Sequence, residues 1–211
     1  MNKQNIFLRL FEFTLGLFFV AFAISLSVKA NLGVSPISCI PYILSQKISL
    51  SLGKMTIIFN SFLILLQILI LRKKYKLFQL VQLPVVFVLG FFVDLTSFII
   101  SSWQFDTYFV RLLICLLSCF ILALGVYLEV IAKVTYLAGE GVAVAICTVT
   151  NIEFGKSKII VDSSMVIIGV ILSFLFFKKL IGAREGTIFA AILVGMIVKL
   201  YTKLIQKINH T

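Results

Sequence analysis

Six apolar runs constrain what this chain can fold into: Ile6 to Val28, Met55 to Leu71, Leu77 to Ser101, Phe109 to Leu128, Ile159 to Phe177 and Glu185 to Ile205. At roughly 17 to 25 residues each and about 1.5 Å of rise per residue, they can cross a hydrocarbon core of about 30 Å. With their short connections they take up nearly all of the 211 residues, of which 61% are hydrophobic and 13% charged, at a mean hydropathy of +1.16. Such a composition belongs to a membrane protein and leaves no room for a soluble domain. The first partner of the chain is therefore the lipid bilayer.

A net charge of +11 would suit nucleic acid if it lay on one polar face. Instead the 19 Lys and Arg are scattered through connections and helix ends, so no nucleic acid is expected. With the amino terminus inside, twelve of them fall on that side, among them Lys3, Arg72, Lys73, Lys74, Lys203 and Lys207, and seven on the other. That bias predicts both termini in the cytoplasm. Lys3 ahead of the first run and Arg9 at its start also resemble the start of a cleaved signal peptide. A counterpart in mid-chain, where nothing could be cleaved, argues that the segment stays as a helix.

That counterpart is part of an internal repeat. GKMTIIFNS at 53–61 returns as GKSKIIVDS at 155–163, an offset of 102. At the same offset Arg9-Leu10 meets Arg111-Leu112, and after a slip to 105 Gly90, Val93, Asp94 and Leu95 meet Gly195, Val198, Lys199 and Leu200. Matches among apolar residues occur by chance in such a chain, but the Gly-Lys and Asn/Asp-Ser pairs at fixed separation do not. The fold expected is an all-α membrane protein of six transmembrane helices in two three-helix repeats, 1–105 and 106–211. Three is odd, so the repeats are inverted with respect to each other, a plan common among secondary transporters.

Each repeat also holds a segment too short to cross, 34–46 in the first and 140–151 in the second. Ser35 can cap the first and Pro36 suits its first turn. Gly139 and Gly141 let the chain turn sharply at the second. Both segments read either as re-entrant helices entering from opposite faces or as buried interface helices that tie two spans together.

Ionisable groups inside a membrane cost about 2.5 to 3.5 kcal/mol each on insertion scales, and so mark candidate sites. Glu140 between two glycines is the sharpest, although an acid at a helix amino terminus is also favoured by the dipole. Asn60 and Asp162 are equivalent in the repeat; Asp162 is either a cation-linked carboxylate or a partner of Lys158 one turn earlier. Asp94 and Lys199 are equivalent and opposite in charge, Lys199 belonging with the basic end of its helix. Arg184 and Glu185 form a gate or ligand pair, or a plain surface connection, with Gly186 and Thr187 allowing close packing behind them. Glu129 and Lys133 read as an i,i+4 pair at a helix exit. Cys39, Cys115, Cys119 and Cys147 read as small apolar filler. No phosphate loop, metal-ligand cluster or nucleophile with a base stands out, and the single histidine, His210, sits in the tail. Neither an enzyme nor a cofactor or metal is expected.

In order along the chain, KANLGVSP (29–36), LGKMTIIFNS, LGFFVDL (89–95), AGEGVAVAI (138–146), FGKSKIIVD (154–162) and REGTIFAAILVG (184–195) resemble the YczE/YitT-type family of bacterial integral membrane proteins. Two departures stand out. Gly139-Glu140-Gly141 replaces a Gly-Pro-containing turn, and Val81-Gln82 stands where Gly186-Thr187 keeps a Gly-Thr pair. The resemblance implies a bacterial cytoplasmic-membrane protein and brings no molecular activity with it.

The expected function is that of a secondary transporter or permease of a small solute, with Glu140, Asn60 and Asp162 converging near the repeat interface, as a homo-oligomer because six helices make a thin wall. Two alternatives are the substrate-binding subunit of an energy-coupling-factor importer, against which the repeat counts, and a regulatory membrane protein without transport.

Overall fold

The computed structural model describes residues 5–209, with side chains as far as Thr202. Lys3 and His210, and the side chains of Lys203 and Lys207, lie outside the described residues. The elements are α1 (Ile6–Ala30), α2 (Pro36–Lys47), α3 (Leu52–Leu71), α4 (Gln82–Ile99), α5 (Tyr108–Ala132), α6 (Ala138–Thr150), α7 (Phe154–Phe177) and α8 (Glu185–Asn209), with two 3-10 turns between α3 and α4. No strand occurs among the described residues. Six helices are long and apolar enough to cross a membrane, while α2 and α6, of 12 and 13 residues, are not. The protein is a multipass membrane protein. Its outer surface carries large apolar side chains such as Phe7, Phe62, Phe91, Phe98, Phe109 and Leu175, each more than half exposed, as lipid contact requires.

The helix ends follow from local chemistry. Asn31 and Lys133 stop α1 and α5 in the left-handed conformation, each giving its N–H back to the last turn. Ser51 opens α3 by accepting from the Lys54 N–H at 3.3 Å. Pro36 occupies the first turn of α2, where its missing N–H costs nothing. Ser35 precedes it but does not cap through its side chain. Its hydroxyl pairs with that of Ser38 at 2.9 Å, and the Ser38 N–H takes the Ser35 carbonyl instead.

At the centre α1 packs along α5. Their backbones meet: a Cβ on Gly16 would lie 2.9 Å from the Gly125 carbonyl oxygen, and one on Gly125 2.8 Å from that of Gly16. Small residues permit this approach, which dispersion then stabilises in lipid. Around this pair α4 lies against α1 and α8 against α5; α6 packs on α3 and α2 on α7; α2 also meets α3, and α6 meets α7. One core cluster joins α2, α3, α4, α6 and α7 through Ile40, Phe59, Ile64, Val86, Val142 and Met165. Another joins α1, α4 and α5 through Leu17, Val20, Leu89, Val93 and Ala132.

Candidate functional site

Helices α3 and α4 are tightly joined. A Cβ on Gly90 would lie 2.7 Å from the Gly53 carbonyl, and one on Gly53 would meet the Asp94 carboxylate at 2.5 Å. The Asp94 carboxylate accepts from the Gly53 N–H at 2.7 Å and from the Ser51 hydroxyl at 2.6 Å, so one helix caps the other. Helices α7 and α8 are not joined this way. Gly155 and Gly195 face open space, with no atom within 4 Å of a Cβ placed on either. A crevice of about 970 Å³ separates the two helices, lined by apolar residues together with Asp162, Ser163, Arg184, Glu185 and Thr187.

The charged lining is paired. Lys158 donates to Asp162 at 2.8 Å along α7, as the i,i+4 spacing allows. Arg184 reaches Glu185 at 3.2 Å and also donates to the Asn31 carbonyl at 3.0 Å. The latter bond belongs to a seam that closes the end of the bundle where α1 runs into α2. There the Val34 N–H takes the Gly182 carbonyl at 2.9 Å and the Gly186 N–H takes the Leu32 carbonyl at 2.7 Å. Gly33, in the left-handed region at φ 123°, lies against Thr187, where a side chain would collide.

The opposite end, where α5 runs into α6, is built differently. Gly139 and Gly141 do not form a turn as expected, because both lie inside α6 and serve close packing. A Cβ on Gly139 would strike Ile37 of α2, and one on Gly141 would lie 2.7 Å from the Gln67 side-chain carbon of α3. Gln67, fully buried, donates to the Ala138 carbonyl at 3.0 Å and to Gln82 of α4 at 3.1 Å. This amide pair anchors the start of α6, and no motif in the sequence pointed to it. Glu140, between the glycines, lies in the first turn of α6 and lines a pocket of about 430 Å³ with Glu129, Lys133 and Tyr136. Burial pushes the Glu140 carboxyl above the usual carboxylate range, with Lys158 pulling it down and Asp162 pushing it up.

The remaining expectations divide. Asp162, Arg184, Glu185 and Pro36 share the α7–α8 crevice. Asn60 is buried and donates to the Thr56 carbonyl of its own helix at 2.8 Å. Asp94 is committed to α3. The Glu129–Lys133 pair is not formed among the described residues: Lys133 is the left-handed residue that ends α5, its side chain is exposed, and Glu129 Oε1 is buried with no hydrogen-bond partner. No group of three or more His, Cys, Asp or Glu able to hold a metal occurs among the described residues.

Against known families, residues 7–203 match the model described as "Family of unknown function (DUF6198)". The chain is a DUF6198 protein. This DUF6198 chain is similar to the "Uncharacterized protein YyaS" of Bacillus subtilis (strain 168), 25% identical over 195 residues that cover 92% of each chain. These matches place the motif series in DUF6198 and do not bear specifically on the YczE/YitT-type family. No solved structure matches it.

Proposed function

We propose that this protein is a secondary transporter of a small solute, built from two inverted repeats that take opposite conformations in one molecule. The observation that carries the reading is the contrast between α3–α4 and α7–α8. Under the repeat, α1 to α4 correspond to α5 to α8. The neighbours then match in pairs: α1–α4 with α5–α8, α3–α6 with α7–α2, and α2–α3 with α6–α7. The close α3–α4 packing has no equal between α7 and α8, although the glycines that make it, Gly53 and Gly90, have their counterparts in Gly155 and Gly195.

A glycine inside a helix costs about 1 kcal/mol relative to alanine, so two that pack against nothing are unfavourable in the conformation described. They make sense in a second conformation in which α7 and α8 close as α3 and α4 do here. The counterparts of Ser51 and Asp94 are Glu153 and Lys199, opposite charges placed to meet across the closed pair. In the conformation described both are exposed and neither belongs to an ion pair among the described residues. The α1–α2 end is closed by its hydrogen-bonded seam and the α7–α8 crevice is open. With both termini in the cytoplasm of a bacterial cell, the start of α7 at Gly155, where nothing packs against the helix, lies on the inner side. Exchange of the two arrangements carries a solute across.

Proteoliposomes holding the protein, incubated with the small-molecule pool of a bacterial extract and read by mass spectrometry, should accumulate a solute that empty liposomes do not. With Cys147→Ser removing the one thiol that is not buried, Glu153→Cys and Lys199→Cys should form a disulfide that stops this uptake, and reductant should restore it. Uptake indifferent to the disulfide overturns alternating closure of α7 and α8. No accumulation of any solute overturns transport.

A further inference from the structure

Glu129 is 6% exposed, lines the pocket at the α5–α6 end and keeps its Oε1 oxygen without a hydrogen-bond partner. Every element packed around it leaves it unneutralised. From α1, Arg9 is occupied: its guanidinium donates to the Ala132 carbonyl at 2.8 Å and to that of Lys133. Glu12, one turn before Gly16, brings a second acid with its own buried, unpartnered oxygen. Gly16 itself makes the room, since a Cβ there would lie 3.0 Å from Glu129 Cγ. From α6 comes Glu140, again an acid. On α7, Lys158 lies near Glu140 rather than Glu129 and is already paired with Asp162. From α8 comes Tyr201, its ring edge-on to Tyr127 of α5. Lys133 and Tyr136, in the connection, are exposed.

An ionised carboxylate held out of water with no partner costs several kcal/mol, and inside a membrane such groups persist where they carry ions or protons. The counterpart of Glu129 at the 102-residue offset is Ser27, a neutral hydroxyl that donates to the Ile24 carbonyl at 2.8 Å. The space beside Ser27 is only about 10 Å³. The acid and the open pocket therefore occur together, in one half alone.

The ligand follows from what the pocket lacks. A dehydrated metal cation needs a cage of several oxygens. Here the main-chain carbonyls of Ala132 and Lys133, at the end of α5, accept from Arg9, and no metal-type cluster exists among the described residues. A proton needs no cage. We propose that Glu129 is a proton-binding site, reached from the α5–α6 end of the bundle through the pocket that it shares with Glu140. Protonation makes a neutral acid of Glu129, which no cation pairs with among the described residues, and Glu140 in the same pocket relays the proton to and from water. The site stands whether or not α7 and α8 close, because Glu129 and Glu140 lie on α5 and α6, outside that pair.

The test is infrared difference spectroscopy on the full-length protein in lipid nanodiscs, with pH jumps in choline chloride and in sodium chloride. The carbonyl band of protonated carboxyls should titrate in the wild type. Glu129→Gln, close in shape to the native side chain, should lose one component of that band, which Glu12→Gln, Glu140→Gln and the exposed control Glu153→Gln retain. Glu129→Asp should keep the component at a shifted midpoint, which shows that the carboxyl and not the fold is at issue. A titrating band in Glu129→Gln identical to the wild type overturns the proposal. So does a component that disappears on adding sodium at constant pH, which would assign the site to that ion.

Discussion

Asp94 of α4 holds the first turn of α3: its carboxylate accepts from the Gly53 N–H at 2.7 Å while its other oxygen takes the Ser51 hydroxyl at 2.6 Å. A hydrogen bond to a charged group contributes roughly 1.5 to 3 kcal/mol. Asp94 is only partly buried, so the lower part of that range applies. Asp94→Ala should lower stability by about 1.5 kcal/mol, read as a reduced unfolding midpoint in detergent; an unchanged midpoint would show that α3 and α4 are held by their glycines alone.

The two glycine pairs should respond in opposite ways. Gly90→Ala forces a methyl against the Gly53 carbonyl at 2.7 Å and should destabilise the protein by about 1 to 3 kcal/mol, as overpacking does. Gly155→Ala and Gly195→Ala meet nothing and should raise stability by about 1 kcal/mol each through helix propensity. If transport requires α7 and α8 to close, the same stabilising variants should slow uptake. Equal effects at Gly90 and Gly195 would remove the asymmetry on which the functional reading rests.

Gln67 should not tolerate loss of its amide. Gln67→Leu leaves the Gln82 side chain unpaired in a buried setting, at a cost of about 1 to 3 kcal/mol, and takes from the Ala138 carbonyl its bond to α3. Hydrogen exchange at the start of α6 should accelerate in this variant more than exchange in α1 or α5. Uniform acceleration would mean that the amide pair supports the whole bundle rather than anchoring α6.

Glu140 should make stability fall as pH rises. Its folded-state carboxyl lies above the ordinary value of 4.5, so the folded protein holds the proton more tightly than the unfolded chain. Stability is then fullest below that ordinary value, declines as pH climbs towards the raised value and levels off beyond it. Glu140→Gln should flatten this part of the profile in unfolding experiments across pH. A wild-type profile that rises over the same window would contradict the sign.

Hydropathy made the six spans and both short helices legible, because length and apolar content are local properties of a segment. The short helices moved by only two residues at their starts, to Pro36 and Ala138. Pairing was less visible. Lys158 and Asp162 meet as their spacing suggests, since both lie well within α7. Glu129 and Lys133 have the same spacing, but Lys133 ends α5 at φ 51° and its side chain is exposed. A helical spacing rule fails at the residue where the helix stops. Gln67 and Gln82 belong to different helices, and what unites them is the Ala138 carbonyl, 71 residues from Gln67. No local pattern encodes such a contact. Asn60 looked equivalent to Asp162, yet its amide is satisfied within its own helix.

The crossing of α1 and α5 at Gly16 and Gly125 limits how the bundle can move. Turning either helix about its own axis by one residue, about 100°, would drive a neighbouring side chain into a gap that a single Cβ already overfills. Opening or closing the angle between the two helices about the same point keeps Gly16 and Gly125 facing each other. The contact therefore acts as a rivet: it resists rolling and permits scissoring, so that movement at the centre of the bundle is expressed as a change of crossing angle.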